Sequence, residues 1–308
     1  MMQPIHITAA TKVLAMSKDN PPVARVPQNT PVSFETLDCF SNSLRSESDL
    51  FSSVGWECIN PATGPVFIEG AEPGDMLRVD ILDIQVAEQG VVAAAPGFGE
   101  MPDSVAETTR VVPVKNGIAY FNWKTANGTV RRELPINPMI GVIGVAPAGE
   151  AVPTGCPDSH GGNMDCKRIV KGATLYLPVN VPGALFAAGD LHALMADGEV
   201  VVCGVEIAGL VTVSFKVIKG KRWPLPVLVE GEHFMTLASD KLLDKAATRA
   251  TRNMHDFLVQ ELGMDQTDAA MLLSVEGDLR ICQVVDPQKT ARMELPLAIL
   301  RACGYELP

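Results

Sequence analysis

Dense turn signals constrain this chain more than any other feature of its sequence. Twenty-six glycines and twenty-three prolines are spread over 308 residues. Glycine permits positive φ and proline removes a backbone donor, so both residues tend to end regular elements. Short strands joined by turns are therefore favoured over long helices. We predict a mainly β fold: a sandwich- or barrel-like body over residues 1–221, with a smaller α+β portion over residues 222–308.

Alternation of apolar and polar residues places the principal strands. The run Met76–Val86 alternates but slips by one residue near Leu82 and Asp83, which predicts a β-bulge there. Leu210–Val217 alternates without interruption, and the apolar run 139–146 is typical of a buried strand. These segments are expected to form the framework of the β-rich body.

Two hairpins and two helices complete the predicted elements. Asn116-Gly117 and Asn127-Gly128 each separate alternating runs within residues 111–134, which is a strong hairpin signal. Three- and four-residue apolar spacing predicts a helix over Ser239–Leu262, with Ser239 as N-cap and Gly263 as its end. A shorter helix is predicted over Thr267–Leu273.

Two further segments are predicted to be irregular. Residues 41–57 are expected to form a short helix or a loop, and residues 94–103 a loop that covers a site.

Net charge argues against some classes of binding partner, and cysteine content indicates the cellular location. A net charge of −11 argues against nucleic acid and anionic membranes as partners. No apolar run reaches the ~18–20 residues of a membrane span, and residues 1–6 lack the basic and apolar regions of a signal peptide. Seven cysteines without C-x-x-C spacing indicate reduced thiols. We therefore expect a cytoplasmic protein.

The stretch from residue 159 to residue 207 concentrates acids and histidines on Gly-rich turns. Asp190 and His192 are two residues apart, so on an extended strand both side chains would leave the same face. With Asp165 they form a candidate metal-ligand set of oxygen and imidazole donors. Such donors suit zinc, manganese or iron, and the spacing does not choose among them. The alternative is a hydrogen-bonded Asp–His pair that only orders a turn.

Other polar residues of this stretch are candidates for binding and proton transfer. His160 and Asn163 flank a Gly-Gly turn that permits close backbone approach to a ligand, although such a turn can also be purely structural. Glu199 and Glu206 bracket an apolar run, and a buried Glu206 would have a raised pKa. Either glutamate could equally lie in water.

A family resemblance runs through most of the chain in order. Its blocks are Asp38-Cys39-Phe40-Ser41-Asn42, Asn60-Pro61-Ala62-Thr63-Gly64-Pro65, Glu69-Gly70-Ala71-Glu72-Pro73-Gly74-Asp75, His160-Gly161-Gly162-Asn163-Met164-Asp165, Leu175-Tyr176-Leu177-Pro178-Val179, Gly183-Ala184-Leu185, Gly189-Asp190-Leu191-His192-Ala193, Asp197-Gly198-Glu199 and Leu272-Leu273-Ser274. Together they resemble the acetamidase/formamidase family. One departure is Leu194-Met195-Ala196 where the family usually has Gly before Asp-Gly-Glu, which predicts a more apolar lining there.

The resemblance implies hydrolysis of formamide, acetamide or similar short amides to carboxylate and ammonia. We expect a divalent metal, with zinc as the first candidate, on Asp165, Asp190 and His192. Glu206 and Asp38 are the candidate catalytic carboxylates, Asp38 on the family pattern alone. His160, Asn163 and Glu199 are expected to bind the amide, and the protein is expected to be a homo-oligomer of two or more copies.

Two alternatives to an amidase stay open at this point. The order Asp190-x-His192-x6-Glu199 is faintly similar to that of cupin ligands, which would give a metal-binding β-sandwich with other chemistry. A structural protein whose acids hold calcium is the other alternative.

Overall fold

The computed structural model describes residues 3–308 and shows a mainly β protein, as predicted. The first strands are β1 (Ile5–Ile7), β2 (Lys12–Val13), β3 (Ala15–Met16), β4 (Ala24–Val26), β5 (Val32–Thr36), β6 (Ala62–Ile68), β7 (Met76–Val86), β8 (Gln89–Ala94), β9 (Thr108–Lys115), β10 (Ile118–Thr125) and β11 (Gly128–Pro135). The later strands are β12 (Met139–Gly144), β13 (Val152–Pro153), β14 (Gly161–Asn163), β15 (Thr174–Pro178), β16 (Phe186–His192), β17 (Glu206–Ile207), β18 (Gly209–Ile218), β19 (Val227–Glu230), β20 (His233–Asp240), β21 (Asp278–Gln283) and β22 (Lys289–Pro296). The α-helices are α1 (Leu243–Leu262), α2 (Gln266–Glu276) and α3 (Leu297–Ala302).

Two large sheets form the body. One has the order β1-β5-β18-β7-β15-β19-β20-β22-β21. The other has the order β11-β10-β9-β8-β17-β16-β12-β14, with β6 also paired to β16 and flanked by β2 and β4. The predicted boundary between residues 221 and 222 falls between β18 and β19, and β19 pairs with β15, so the C-terminal strands extend the first sheet.

The predicted β-bulge and hairpins are confirmed. Register between β7 and β18 shifts at Leu82, which the pairing of Ile81 and Asp83 leaves without a partner. The strands β9, β10 and β11 form consecutive antiparallel hairpins at the two Asn-Gly turns. Turn chemistry and alternation were sufficient here because both are local properties of the chain.

Aromatic side chains join the two sheets across the main core. Phe186 on β16 contacts Phe34 on β5 and Phe215 on β18, with ring centroids 5.6 Å and 4.9 Å apart. All three side chains are buried, together with the aliphatic residues of both inner faces. This packing of one sheet on the other gives the sandwich-like body predicted from the sequence.

The long helix covers the outer face of the C-terminal strands, although its start differs from the prediction. Ser239 lies in β20, where its hydroxyl is 2.9 Å from the Thr290 hydroxyl across the sheet, so it does not cap the helix. The helix begins at Leu243 and ends at Gly263 in the left-handed conformation, as predicted for its end. Its buried face comprises Ala246, Ala250, Met254, Phe257 and Leu258.

The two segments expected to be irregular lie beside each other. Residues 41–57 contain two 3₁₀ turns, Phe51–Ser53 and Trp56–Cys58, and the loop after β8 carries Phe98 against them. Among the helices of residues 3–308, none has the length and apolar run that a membrane span requires.

Candidate active site

The candidate site is built where short strands of the second sheet end. β16 lies between β12 and β17, and His192 at the end of β16 is the ladder partner of Glu206 on β17. Asp165 follows β14, which pairs with β12. Sheet pairing therefore brings together segments that are far apart in the chain.

Four carboxylates surround one imidazole. His192 Nε2 lies 3.2 Å from Glu206 Oε1, 3.6 Å from Asp165 Oδ1 and 3.6 Å from Asp190 Oδ1. On the other side of the ring, His192 Nδ1 lies 3.8 Å from Glu199 Oε1. All five residues are buried. The predicted candidates Asp165, Asp190, His192, Glu199 and Glu206 thus form one cluster.

Three of these acids adopt a strained backbone conformation. The φ angles of Asp165, Asp190 and Glu199 are 40°, 54° and 48°. A non-glycine residue in the left-handed region costs of order 1–3 kcal/mol, and such residues concentrate at functional sites. Asp190 and His192 therefore meet as expected, but not by regular alternation along a strand.

Two glycines leave room for the side chains of the cluster. A Cβ at Gly141 on β12 would lie 2.5 Å from Asp165 Oδ1 and 2.8 Å from Asp190 Oδ2. A Cβ at Gly204 would lie 2.8 Å from His192 Nδ1. Only glycine at these positions leaves the observed side-chain positions free.

Burial and mutual repulsion govern the protonation of the cluster. Burial first, and then neighbouring carboxylates, raise the pKa of Glu199 and Glu206 well above the ordinary value. Burial also raises the pKa of Asp165 to about 7, although His192 opposes the shift. Burial disfavours a charged His192, but Glu206 and Asp190 outweigh it and raise its pKa. The cluster therefore holds more protons at neutral pH than free side chains would.

The donor set fits a divalent metal. Ligand atoms of Asp165, His192 and Glu199 lie within 4.8 Å of one another, and those of Cys39, Asp190 and Glu206 form a second such group. Within residues 3–308, one buried oxygen of each of the four acids has no hydrogen-bond partner, and neither does His192 Nδ1. Buried polar atoms normally find partners, so these convergent donors are suited to a cation.

The remaining predicted residues lie around the cluster. The Asn163 amide donates to Asp286 Oδ2 at 3.0 Å. His160 is buried, its Nε2 has no hydrogen-bond partner among the residues that the structure describes, and burial lowers its pKa. Asp38 Oδ1 accepts hydrogen bonds from the backbone N–H groups of Phe40 and Asn42, and burial raises the Asp38 pKa to about 6.

The structure adds residues that the sequence did not single out. Asp286, between β21 and β22, reaches the cluster, where loss of solvation and the carboxylates of Asp165 and Asp190 raise its pKa. Cys39, for which the sequence predicted no role of its own at the site, joins the Asp190 and Glu206 group. No local pattern marks Asp286, because its approach depends on how the C-terminal strands extend the first sheet.

The cluster lines a cavity of about 450 Å³. Asn163, Asp286 and Lys289 also line it, together with an apolar wall that contains Phe40, Phe51, Trp56 and Phe98. Polar groups convergent in a mostly apolar cavity are typical of an enzyme site for a small molecule.

Comparisons with known proteins agree with this architecture. The sequence profile of the Acetamidase/Formamidase family matches residues 15–154 and 148–302. The crystal structure of an acetamidase from Bacillus halodurans is 46% identical, with a TM-score of 0.93, and the match covers 97% of this chain and all of that one. A predicted acetamidase/formamidase from Thermoanaerobacter tengcongensis is 43% identical, with a TM-score of 0.93 and 99% of both chains covered.

Curated relatives match over a smaller share of their length. A putative formamidase of Schizosaccharomyces pombe is 27% identical, and the match covers 65% of this chain and 62% of that protein. The chain spans about half to three fifths of the length of the curated relatives it matches. The family profile and the solved structures nevertheless cover nearly the whole chain, which belongs to the Acetamidase/Formamidase family.

Proposed function

We propose that the protein is a metal-dependent amidohydrolase that converts primary amides to carboxylates and ammonia. The observation that carries the proposal is the buried group of four carboxylates around His192, facing a cavity of substrate size. The names of its relatives, acetamidase and formamidase, support amides as the substrate class.

Asp165, His192 and Glu199 are the residues we propose as metal ligands, with Asp190 beside them. Zinc is the first candidate, since nitrogen and carboxylate donors both suit it. When bound, the metal would polarise the amide carbonyl and acidify a water molecule. Glu199 thereby moves from the expected substrate contact into the proposed ligand set, because one of its carboxylate oxygens lies within 4.8 Å of ligand atoms of both Asp165 and His192.

Glu206 is the proposed general base and acid. Its carboxylate lies beside His192, and its raised pKa permits proton exchange closer to neutrality than an ordinary glutamate. It would accept a proton as the water oxygen bonds to the carbonyl carbon. It would return that proton to nitrogen as the C–N bond breaks and ammonia leaves.

Asp38, the other proposed catalytic carboxylate, has one oxygen already engaged by two backbone N–H groups. Asn163 lines the cavity and is proposed to orient the amide together with Asp286, to which it is hydrogen-bonded. His160 is proposed as a further polar contact behind the Gly161-Gly162 turn.

The test is ammonia release from a series of amides by metal-free and zinc-reconstituted protein, with metal analysis of both samples. We expect turnover only after reconstitution. Equal turnover in the metal-free sample would refute the metal dependence. Absence of ammonia from every amide would refute the amidase function and favour the cupin-like alternative.

We further propose a homo-oligomer formed through the β10–β11 hairpin. β11 ends its sheet, and the hairpin exposes Trp123 and Val130 beside Lys124, Arg131 and Arg132. This basic, partly apolar edge complements the surface of a second copy of a chain whose net charge is −11. The free cysteines among the described residues support a cytoplasmic location.

A further inference from the structure

We infer that this site is adapted to primary amides with an apolar, ring-sized acyl group, such as an arylacetamide or a cycloalkanecarboxamide. The inference rests on the proposed amide hydrolysis and concerns which amides the site prefers. Formamide and acetamide, by contrast, are the amides named by its relatives.

The size of the cavity is the first argument. Acetamide has four non-hydrogen atoms and would occupy roughly 120 Å³ at the ~30 Å³ that each water molecule takes in the liquid. The cavity measures about 450 Å³. Even with a metal and a water in place, an acetamide would leave space for roughly six to ten further atoms, about the size of a ring. Cavities of this volume usually enclose much larger ligands.

The chemistry of the wall is the second argument. Phe51 is at its centre and makes edge-to-face contacts with Phe40, Trp56 and Phe98, at centroid distances of 6.0 Å, 5.7 Å and 5.2 Å. Leu14, Ile59 and Val202 line the same cavity. Aromatic residues are only 5% of the chain, so this concentration is unusual. Aromatic walls bind apolar rings through large contact areas and edge-to-face geometry.

Polar and apolar groups are separated within the cavity. The acids converge on His192, whereas Phe40 and Phe51 pack with partly buried Phe98 in one apolar cluster, and Cys39 borders both groups. An amide placed at the acids would therefore direct its acyl group toward the aromatic wall. The excess of acids over the single Lys289 among the charged lining residues disfavours an anionic acyl group.

Phe98 and Trp56 are placed to cover the acyl group. The loop that carries Phe98 is held by a hydrogen bond from Glu100 N–H to Val200 O at 2.9 Å. Trp56 is 67% exposed yet contacts Phe51 and Phe98, so its indole adds little to folding but borders the cavity. The apolar lining predicted for residues 194–196 is supplied instead by these residues, which come from other segments.

The test compares kcat/KM for acetamide, butyramide, cyclohexanecarboxamide and phenylacetamide in reconstituted wild-type, Phe98→Ala and Trp56→Ala proteins. Leu242→Ala is the matched control, because Leu242 is also exposed and apolar but does not line the cavity. We expect the ring amides to exceed acetamide by at least about tenfold. Phe98→Ala should lower that ratio at least about fivefold, whereas Leu242→Ala should leave it unchanged.

Binding is measured separately from turnover, by tryptophan fluorescence of metal-free protein titrated with phenylacetamide or acetamide. We expect phenylacetamide to bind at least about tenfold more tightly. Acetamide turnover equal to or above that of every ring amide would overturn this inference and leave the amidase function intact. No turnover of any amide would refute the amidase function, and equal binding of the two amides would then overturn the inference as well. A ring preference unchanged in both Phe98→Ala and Trp56→Ala would overturn the role of the aromatic wall.

Discussion

Gly141→Ala should disable the site while leaving the fold intact. A Cβ at residue 141 would lie 2.5 Å from Asp165 Oδ1 and 2.8 Å from Asp190 Oδ2. Non-bonded atoms prefer separations near ~3.5 Å, so the two carboxylates would have to retreat by roughly 0.7–1.0 Å. Neither can do so freely, because both are buried and both have a left-handed backbone conformation.

The size of the effect follows from that displacement. Overpacking by one methyl group costs about 1–3 kcal/mol in free energy of unfolding. A misplacement of ~1 Å at a catalytic group costs about 100-fold in rate. We therefore expect Gly141→Ala to lower kcat/KM at least about 100-fold and to reduce metal content, while unfolding remains cooperative.

The assay is metal content and kcat/KM per folded molecule, with thermal unfolding monitored in parallel. Gly149→Ala is the control, because no atom of the described part of the chain lies within 4 Å of its Cβ position and residue 149 is exposed. Wild-type metal content and turnover in Gly141→Ala would refute the argument that this glycine makes room for the ligands. A similar loss in Gly149→Ala would show that the assay reports a general effect of added methyl groups.

Three further predictions concern the cluster and the assembly. His192→Ala should lose metal and activity together, by more than about 100-fold, and Asp190→Asn should weaken both less while remaining folded. The measurements are metal content and turnover per folded molecule. Wild-type values of both in His192→Ala would remove His192 from the site. Metal-free protein should become less stable as pH rises from about 4 to about 7, because the raised pKa of Asp165 means that the folded state binds protons more tightly. Saturating zinc should reverse that dependence of stability on pH, since the ligands bind metal deprotonated. Melting temperatures at pH 5 and pH 8, with and without chelator, would show both effects. A melting temperature of the metal-free protein that does not change with pH would contradict the raised pKa of Asp165. Trp123→Glu should lower the molar mass in light scattering without loss of secondary structure, and an unchanged mass would contradict assembly through the hairpin.

Local signals predicted the framework, and their failures have physical causes. The bulge at Leu82 and the two Asn-Gly hairpins follow from alternation and turn chemistry, which depend on neighbouring residues alone. The predicted start of α1 was wrong because Ser239 lies in β20 and pairs with Thr290 of β22, a long-range contact that a local capping signal does not report. Tertiary pairing thus overrode a plausible capping signal.

The distinction between local signals and long-range contacts also explains which site residues were predicted and which were missed. Asp165, Asp190, His192, Glu199 and Glu206 lie within one short stretch, so their density alone indicated a site. Cys39 comes to the cluster from the N-terminal third of the chain, and Asp286 from the turn between β21 and β22. Phe98 and Trp56 likewise belong to separate irregular segments that meet only over the cavity.

The acidic cluster and the aromatic wall are carried by different kinds of element, and this difference bears on substrate specificity. The acids and His192 are held by paired strands of one sheet, where a shift of register would separate Glu206 from His192. The aromatic residues that face them come from loops and 3₁₀ turns, which tolerate substitution more readily than strands. On the proposed function, the sheet would fix the chemistry, and the loops and 3₁₀ turns that carry the aromatic residues would set the size of the acyl group. Substitutions at Phe98 or Trp56 should accordingly alter which amide is preferred before they alter metal content. Substitutions at Gly141 should instead reduce metal content before they alter which amide is preferred.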